Sequence, residues 1–319
     1  MEYRRLGKWG VRVSEVGLGS WLTFGGSLDE ANSEKVILHA YENGINFFDT
    51  ANAYYKGAAE QVLGKTLKAL PRESLFVATK VFFPMDKGPN DRGLSRKHVF
   101  EQCHASLKRL QMEYIDLYQC HRPDPDTPIE ETVAVMSDLI RQGKILYWGV
   151  SEWRPVDIAD ACHLARQMGG YPPVSNQPIY NMLERYIEEQ VIPVSEREGL
   201  GQVVFSPLAQ GVLTGKYLPG HAPPADSRAA DDKSNIFMGR LLEHDLLERV
   251  QKLKPIASDL GLSMAQLALA WCLRQPNVSS VIIGATKVEQ VTDNLGASGV
   301  KLSAEVLQRI DDVLGVWKS

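Results

Sequence analysis

The chain has 319 residues, is 44% hydrophobic and carries a formal net charge of −4. That charge gives no basic surplus to attract nucleic acid or an anionic membrane, and no apolar run approaches the roughly 18 residues a membrane span requires. The four cysteines, Cys103, Cys120, Cys162 and Cys272, are scattered with no CxxC pair, which argues for reduced, buried thiols in a cytoplasmic protein rather than a disulfide frame or a metal site.

In chain order, the start Met1-Glu2-Tyr3-Arg4-Arg5-Leu6 lacks the apolar segment of a secretory signal. Residues 3 to 14 read as a short hairpin turning at Gly7 to Gly10, suited to plug the bottom of a barrel. From about residue 16 to residue 297, strand and helix signals alternate. Seven apolar stretches run into one residue each: Asp49, Lys80, His121, Ser151, Gln177, Ser206 and Gly284. Helical segments are expected to begin near Asp29, Glu60, Ser95, Thr127, Pro155, Glu184, Ser263 and Thr286. Thr127-Pro128-Ile129-Glu130, Ser263-Met264-Ala265-Gln266 and Thr286-Lys287-Val288-Glu289 read as capping boxes. Gly44, Gly143 and Gly169 stand where helices need a left-handed stop. Leu218 to Asp232, rich in Pro, Gly, Ala and Asp, reads as a long loop after the seventh strand, the kind that forms a lid or binding loop. The segment Ser303 to Trp317 carries an apolar stripe of Val306, Ile310 and Val313, to be packed on the barrel or used as an interface.

Alternation of this length implies a parallel sheet. An open doubly wound sheet would show a GxGxxG turn after an early strand, and Gly17-Leu18-Gly19-Ser20-Trp21-Leu22 lacks the third glycine. The expected fold is therefore α/β, a (β/α)8 TIM barrel in one domain spanning residues 1–319: hairpin at about 3–14, barrel at about 16–297 and an additional C-terminal helix at about 303–317. The carboxyl ends of all barrel strands converge on one face, which carries the chemistry. An acid, a lysine and a histidine arriving there from three strands form a candidate active site.

Phe48-Asp49-Thr50-Ala51 followed by Tyr54, Thr79-Lys80, the stretch Arg122-Pro123-Asp124-Pro125-Asp126-Thr127-Pro128, Ser206-Pro207-Leu208 with Gly211 and Gly215-Lys216-Tyr217, and Gly284-Ala285 resemble the aldo-keto reductases. Within that superfamily the chain is most similar to the branch containing the potassium-channel β subunits. The resemblance implies a barrel that binds NADPH (NADP+) without a Rossmann domain and reduces a small aldehyde or ketone. Hydride reduction of a carbonyl creates an alkoxide, so a proton donor must stand beside the oxygen. The resemblance gives that role to Tyr54, with Lys80 lowering its pKa, Asp49 holding Lys80 charged, and His121 orienting the carbonyl. Singly, each has a plainer reading: a structural Asp49–Lys80 bridge, or a satisfied strand-end histidine.

The resemblance also places the cofactor. Gly19, Ser20, Trp21 and Asp49 belong to its site, Ser151 and Gln177 hold the carboxamide, and Tyr180 lies near the nicotinamide ring. Ser206, Pro207, Leu208, Gly211 and Leu213 carry the pyrophosphate, with Lys216 neutralising it. Arg228 reaches the adenosine phosphate, and Gly284, Thr286, Lys287, Gln290, Asp293 and Asn294 gather at a helix start suited to an anion. Thr286 is equally well read as a helix cap, and Arg228 as an ordinary loop arginine. Glu152 departs from the asparagine many relatives carry, and a carboxylate cannot donate an amide hydrogen bond, so it is left out of the carboxamide clamp. Trp21, Tyr55, Phe82 and Trp153 line an apolar substrate wall or belong to the core. The branch implies a homotetramer and leaves a membrane partner open: the alternative to an enzyme is a redox-sensing accessory subunit with little turnover. His121 favours the enzyme, because the channel β subunits often have asparagine there.

Overall fold

Seven barrel strands form where the apolar stretches end on the residues named above, and an eighth, Val16–Gly19, completes the ring. In a computed structural model describing residues 1–225, 227–230, 235 and 238–315, β3 (Val16–Gly19), β4 (Phe47–Asp49), β5 (Phe76–Val81), β6 (Ile115–Cys120), β7 (Ile145–Val150), β8 (Ser175–Asn176), β9 (Gly201–Val204) and β10 (Val278–Ile283) pair in parallel in that order, and β10 returns to β3. The protein is a (β/α)8 barrel. Asp232 and Trp317, set above as ends of the long loop and of the C-terminal segment, lie outside the described residues.

Helices α1 (Glu30–Glu42), α2 (Ala58–Leu67), α3 (Arg96–Leu110), α4 (Ile129–Arg141), α5 (Pro155–Gln167) and α6 (Val191–Glu198) follow β3 to β8 in turn. After β9 come α7 (His244–Gln251), α8 (Lys254–Asp259) and α9 (Met264–Leu273); α10 (Val288–Leu295) follows β10, and α11 (Ala304–Leu314) comes last. With helices over every strand, β5, β6 and β10 are buried along their whole length, as expected of parallel strands covered on the outside.

Local sequence explains most of the helix starts. Ser263 caps α9 in a full capping box with Gln266, and Asp29 and Ser95 cap α1 and α3. The other two boxes do not form. Thr127 turns its hydroxyl to the Asp124 carboxylate at 2.8 Å, and α4 begins at Ile129 behind Pro128. Thr286 N–H donates to Gln290 Oε1 at 2.8 Å, a cap delivered backwards from within α10. The helix expected near Glu184 starts later: Tyr186–Glu188 makes one tight turn before α6. Gly44, Gly143 and Gly169 take positive φ at helix ends. On α11 the buried stripe is Val306, Ile310 and Leu314, against α7 and α8, while Val313 is half-buried.

Inside the barrel the lower layer is apolar. Phe47, Phe76, Ala78, Leu117, Val203 and Ile282 meet Leu6 and Val13 of the hairpin β1 (Tyr3–Arg5) and β2 (Arg12–Ser14), which plugs the bottom as its pattern predicts. Fully burying one such large side chain stabilises by about 1.5–3 kcal/mol. The hairpin also fastens the seam between the first and last barrel strands. Arg4 donates to Glu15 Oε1 at 2.6 Å and to the Val278 carbonyl at 2.9 Å. The other oxygen of Glu15 accepts from Ser298 Oγ and Gly299 N–H at 3.0 and 2.8 Å.

Candidate active site

Two residues above the apolar layer, the same strands turn polar. Side chains alternate along a strand, so Asp49 shares the inner face with Phe47, Lys80 with Ala78, and Gln119 with Leu117. Lys80 is fully buried and Asp49 nearly so. The Lys80 ammonium has three donors, and each finds an acceptor: Asp49 Oδ2 at 2.6 Å, the Thr50 carbonyl at 2.8 Å and Tyr54 Oη at 3.3 Å. Asp49 Oδ1 accepts from Gln177 Nε2 at 2.9 Å and Gln119 Nε2 at 3.4 Å. Burial works against the charge on Lys80, but Asp49 and then Tyr54 outweigh it, so the ammonium is held above its usual pKa.

Tyr54 lies on the loop leaving β4, with Lys80 Nζ 5.0 Å from its ring centroid and the His121 ring edge-on at 5.6 Å. The phenol departs from expectation. Lys80 does pull its pKa down, but burial is the larger effect and Asp49 opposes, so the group sits above its ordinary 10.0 and keeps its proton. His121 is pushed well below 6.5 by burial, then by Lys80 and Arg122, and is a neutral imidazole. Its Nδ1 has no hydrogen-bond partner among the described residues. A buried acceptor left unpaired costs less than a buried donor, so the ring proton belongs on Nε2.

The backbone around this site is strained. Among the described non-glycine residues with positive φ, all but the helix cap Gln111 lie on loops at this face: Leu22, Tyr55, Lys56, Glu152, Ser206, Ala209 and Gln210. Such conformations cost about 1–3 kcal/mol each and persist where surroundings over-determine them. At Tyr54 the surroundings are visible. Glu60, fully buried at the start of α2, accepts from Thr79 Oγ1 and from Arg109 Nε, both at 2.5 Å. Arg109 in turn packs so closely on Gly57 that a Cβ there would lie 2.5 Å from its Cδ. One carboxylate thereby ties the Tyr54 loop to the strand bearing Lys80.

The other residues singled out in the sequence divide into groups. Ser151 Oγ donates to the Gln177 carbonyl at 2.8 Å and accepts from Arg122, and Ser20 Oγ meets Thr50 Oγ1 at 2.8 Å beside Asp49. Gly19 has no room for a side chain, since a Cβ would lie 2.6 Å from Ile282 Cγ2. After β9, Ser206 Oγ accepts from Gln210 Nε2 at 2.9 Å, and Lys216 Nζ would lie 3.2 Å from a Cβ on Gly211. Pro207 is buried and Leu208 half-buried. Arg228 reaches across from the long loop, donating to Gln210 Oε1 and lying 5.5 Å over the Trp21 ring. Gly284, Thr286, Lys287 and Gln290 are exposed at the start of α10. Lys216, Arg228 and Lys287 on neighbouring loops are chemistry that suits a polyphosphate.

Some residues point elsewhere. Leu213 is fully buried in the outer core. Asp293 gives its carboxylate to Ser263 and Gln266 at the head of α9, at 3.0 and 3.1 Å, and Asn294 is buried on α10. Tyr180 turns away from the mouth: its hydroxyl donates to Glu188 at 2.5 Å and accepts from Arg274 at 2.7 Å, against Trp271. Trp153 is core, Phe82 is half-buried, and Tyr55 is an exposed ring over Gly26. Glu152 accepts from Ile179 N–H at 2.5 Å and Tyr186 Oη at 3.2 Å, bracing the loop after β7 against the loop after β8. Gln119, Glu60 and Arg122 were not among the expected site residues, although Glu60 marks an expected helix start and Arg122 belongs to a matching stretch. Gln119 left a signal, being a polar residue two before His121 in an otherwise apolar strand.

A parallel eight-stranded barrel whose strand ends bring an ion-paired lysine, a tyrosine and a neutral histidine together defines an oxidoreductase of the aldo/keto class. The chain belongs to the aldo/keto reductase family, whose model matches residues 15–314. It is 45% identical to a probable voltage-gated potassium channel subunit beta of Oryza sativa subsp. japonica and 44% identical to one of Arabidopsis thaliana, each over 98% of this chain and 97% of the relative. Members of this family generally use NAD(P)H and act on small carbonyl compounds. No single helix among the described residues is long and apolar enough to cross a membrane.

Proposed function

We propose that the protein reduces an aldehyde or ketone to an alcohol with NADPH, using Tyr54 as general acid. The observation that carries this reading is the buried Lys80 ammonium, fixed by Asp49 and the Thr50 carbonyl and donating to Tyr54 Oη. When bound, the nicotinamide would supply the hydride for the carbonyl carbon; the chain's own residues manage the oxygen. Tyr54 gives its proton to the developing alkoxide. Lys80, already in contact with the phenol oxygen, stabilises the phenolate left behind, so the raised resting pKa keeps the donor protonated without stranding the charge. Neutral His121 donates from Nε2 to the same oxygen and sets its orientation. Ser151 and Gln177 would hold the carboxamide, Ser206 to Gly211 with Lys216 the pyrophosphate, and Arg228 with Thr286 and Lys287 the 2′-phosphate that would favour NADPH.

Tyr54→Phe tests the assignment. General acid catalysis is worth about 100- to 10,000-fold, so steady-state kcat with a poorly activated ketone should fall into that range while cofactor affinity holds. A variant keeping more than a tenth of wild-type kcat rules Tyr54 out. The names of the two relatives favour a second reading, an accessory subunit of a membrane channel, for which the branch resemblance implies a tetramer and the composition a cytoplasmic protein. Tight NADPH binding with almost no turnover across aldehydes, ketones and methylglyoxal would support it over the enzyme, and light scattering would report a mass near 35.5 kDa if the chain is monomeric.

A further inference from the structure

Arg122 follows His121 in the chain and closes the corner that His121 forms with Phe83. Its Nη1 donates to the His121 carbonyl at 2.6 Å and to Ser151 Oγ at 3.3 Å. Its Cζ lies 5.8 Å from the Phe83 ring centroid, and the Phe83 ring meets the His121 ring edge-on at 4.8 Å. The guanidinium is thus held in place beside the reacting group. It is half-buried, yet among the described residues no carboxylate pairs with it, and Nε and Nη2 meet no acceptor. Glu152, on the neighbouring loop, lies within reach of the Arg122 charge but makes its hydrogen bonds to Ile179 and Tyr186 and none to the guanidinium. Besides Lys80, Arg122 is the cation whose field reaches both Tyr54 and His121, and Lys80 is already neutralised by Asp49.

A half-buried arginine normally has a partner, because partial desolvation of a charge is costly. Here the free Nε and Nη2 donors form the side-on fork that matches the two oxygens of a carboxylate. A phosphate dianion would call for a second unpaired cation in the same corner, and Lys80 is occupied. Building on the carbonyl-reductase reading above, we propose that Arg122 is the recognition group for a carboxylate on the substrate, and that the preferred substrates are aldehydes bearing a carboxylate. Phe83 supplies the flat wall on which the guanidinium rests, and Ser151 and the His121 carbonyl fix its angle.

The test compares aldehydes similar in size and carbonyl activation but different in charge: succinic semialdehyde against pentanal, and 4-carboxybenzaldehyde against its neutral isostere 4-isopropylbenzaldehyde, with saturating NADPH. In the wild-type protein the anionic member of at least one pair should have a tenfold or larger advantage in kcat/KM. Arg122→Gln should reduce that anionic-to-neutral ratio tenfold or more, chiefly through KM, and Arg122→Lys should keep part of it. The ratio is unmoved by a general loss of structure or of cofactor affinity, which lowers both members alike. Equal loss for both members, with weakened NADPH binding by fluorescence titration, would show that Arg122 serves the carboxamide through Ser151 and overturn the proposal. Turnover of all four aldehydes without any charge preference overturns this inference alone. No turnover of any of them overturns the carbonyl-reductase reading and this inference with it.

Discussion

The lower and upper halves of the barrel interior are built by the same strands, two residues apart, with opposite chemistry. At the bottom, Phe47, Phe76 and Leu117 pack against Leu6 and Val13; one step up, Asp49, Lys80 and Gln119 bury charge and amide groups in a hydrogen-bonded set. The apolar layer gains from burial without needing exact partners. The polar layer is tolerable because its charges are satisfied: Lys80 and Asp49 both find partners, while only neutral atoms, Gln119 Oε1 and His121 Nδ1 among them, go without one among the described residues, and removing one partner leaves another charge in a low dielectric. Stability should therefore be robust to chemistry and sensitive to volume below, and the reverse above.

The sharpest way to break that contrast is at Lys80. Lys80→Met should abolish carbonyl reduction to at least the extent expected for Tyr54→Phe, and should cost about 3–5 kcal/mol of stability by leaving Asp49 uncompensated. Adding Asp49→Asn should recover most of the stability in urea unfolding and none of the activity. If the double variant is no more stable than the single one, the pair is not the source of the penalty.

Below, Phe47→Ala should cost about 3–5 kcal/mol through the cavity it leaves. Its kcat, measured on the folded fraction at low temperature, should stay close to wild type. A comparable loss of kcat would mean that the two layers are mechanically coupled.

A smaller effect is expected at the rim. Arg228→Ala should weaken NADPH by about tenfold or more, the worth of one charge-assisted contact of roughly 1.5–3 kcal/mol, and leave NADH almost unchanged. Equal weakening of both cofactors, read by fluorescence titration, would assign Arg228 to the Gln210 and Trp21 packing of its loop.

The smallest effect concerns pH. His121 has a folded pKa well below the 6.5 of an unfolded histidine, so its contribution is fully present above pH 6.5 and is lost as pH falls below it. The loss can reach about 1.4 kcal/mol per pH unit. His98 is shifted the same way by burial, so the wild-type slope has two sources. His121→Asn should make the fall between pH 6.5 and 5.5 shallower without flattening it. An unchanged slope would mean that His121 is not held neutral.

The strand ends were legible because a polar residue at the close of an apolar run has few places to go in a parallel barrel. Asp49, Lys80 and His121 were read that way, and their convergence follows from topology alone. What the sequence hid depends on turns. Glu152 bracing Ile179, Arg228 crossing to Gln210 and Asp293 serving α9 all rest on loop conformations, several in positive-φ geometry that residue type does not announce. Thr127 and Thr286 show the limit for helices. Each fits the capping pattern, but Asp124 in one case and Gln290 in the other offers a nearer partner, and the competition is settled in three dimensions.

The seam held by Arg4, Glu15, Ser298 and Gly299 bears on how the chain is made. β3 and β10 are neighbours in space and more than 250 residues apart in sequence, so the barrel remains an open, twisted sheet until Val278–Ile283 leaves the ribosome. Contacts of such separation form late, after the cost of closing the loop has been met. A chain ending before Val278 should then be cleaved by protease along β3 and the hairpin, while protection there would show that the first strands hold without the last. For most of its synthesis this protein carries an unpaired strand edge at Val16–Gly19, and the hairpin that precedes it has no floor to seal until the final strand arrives.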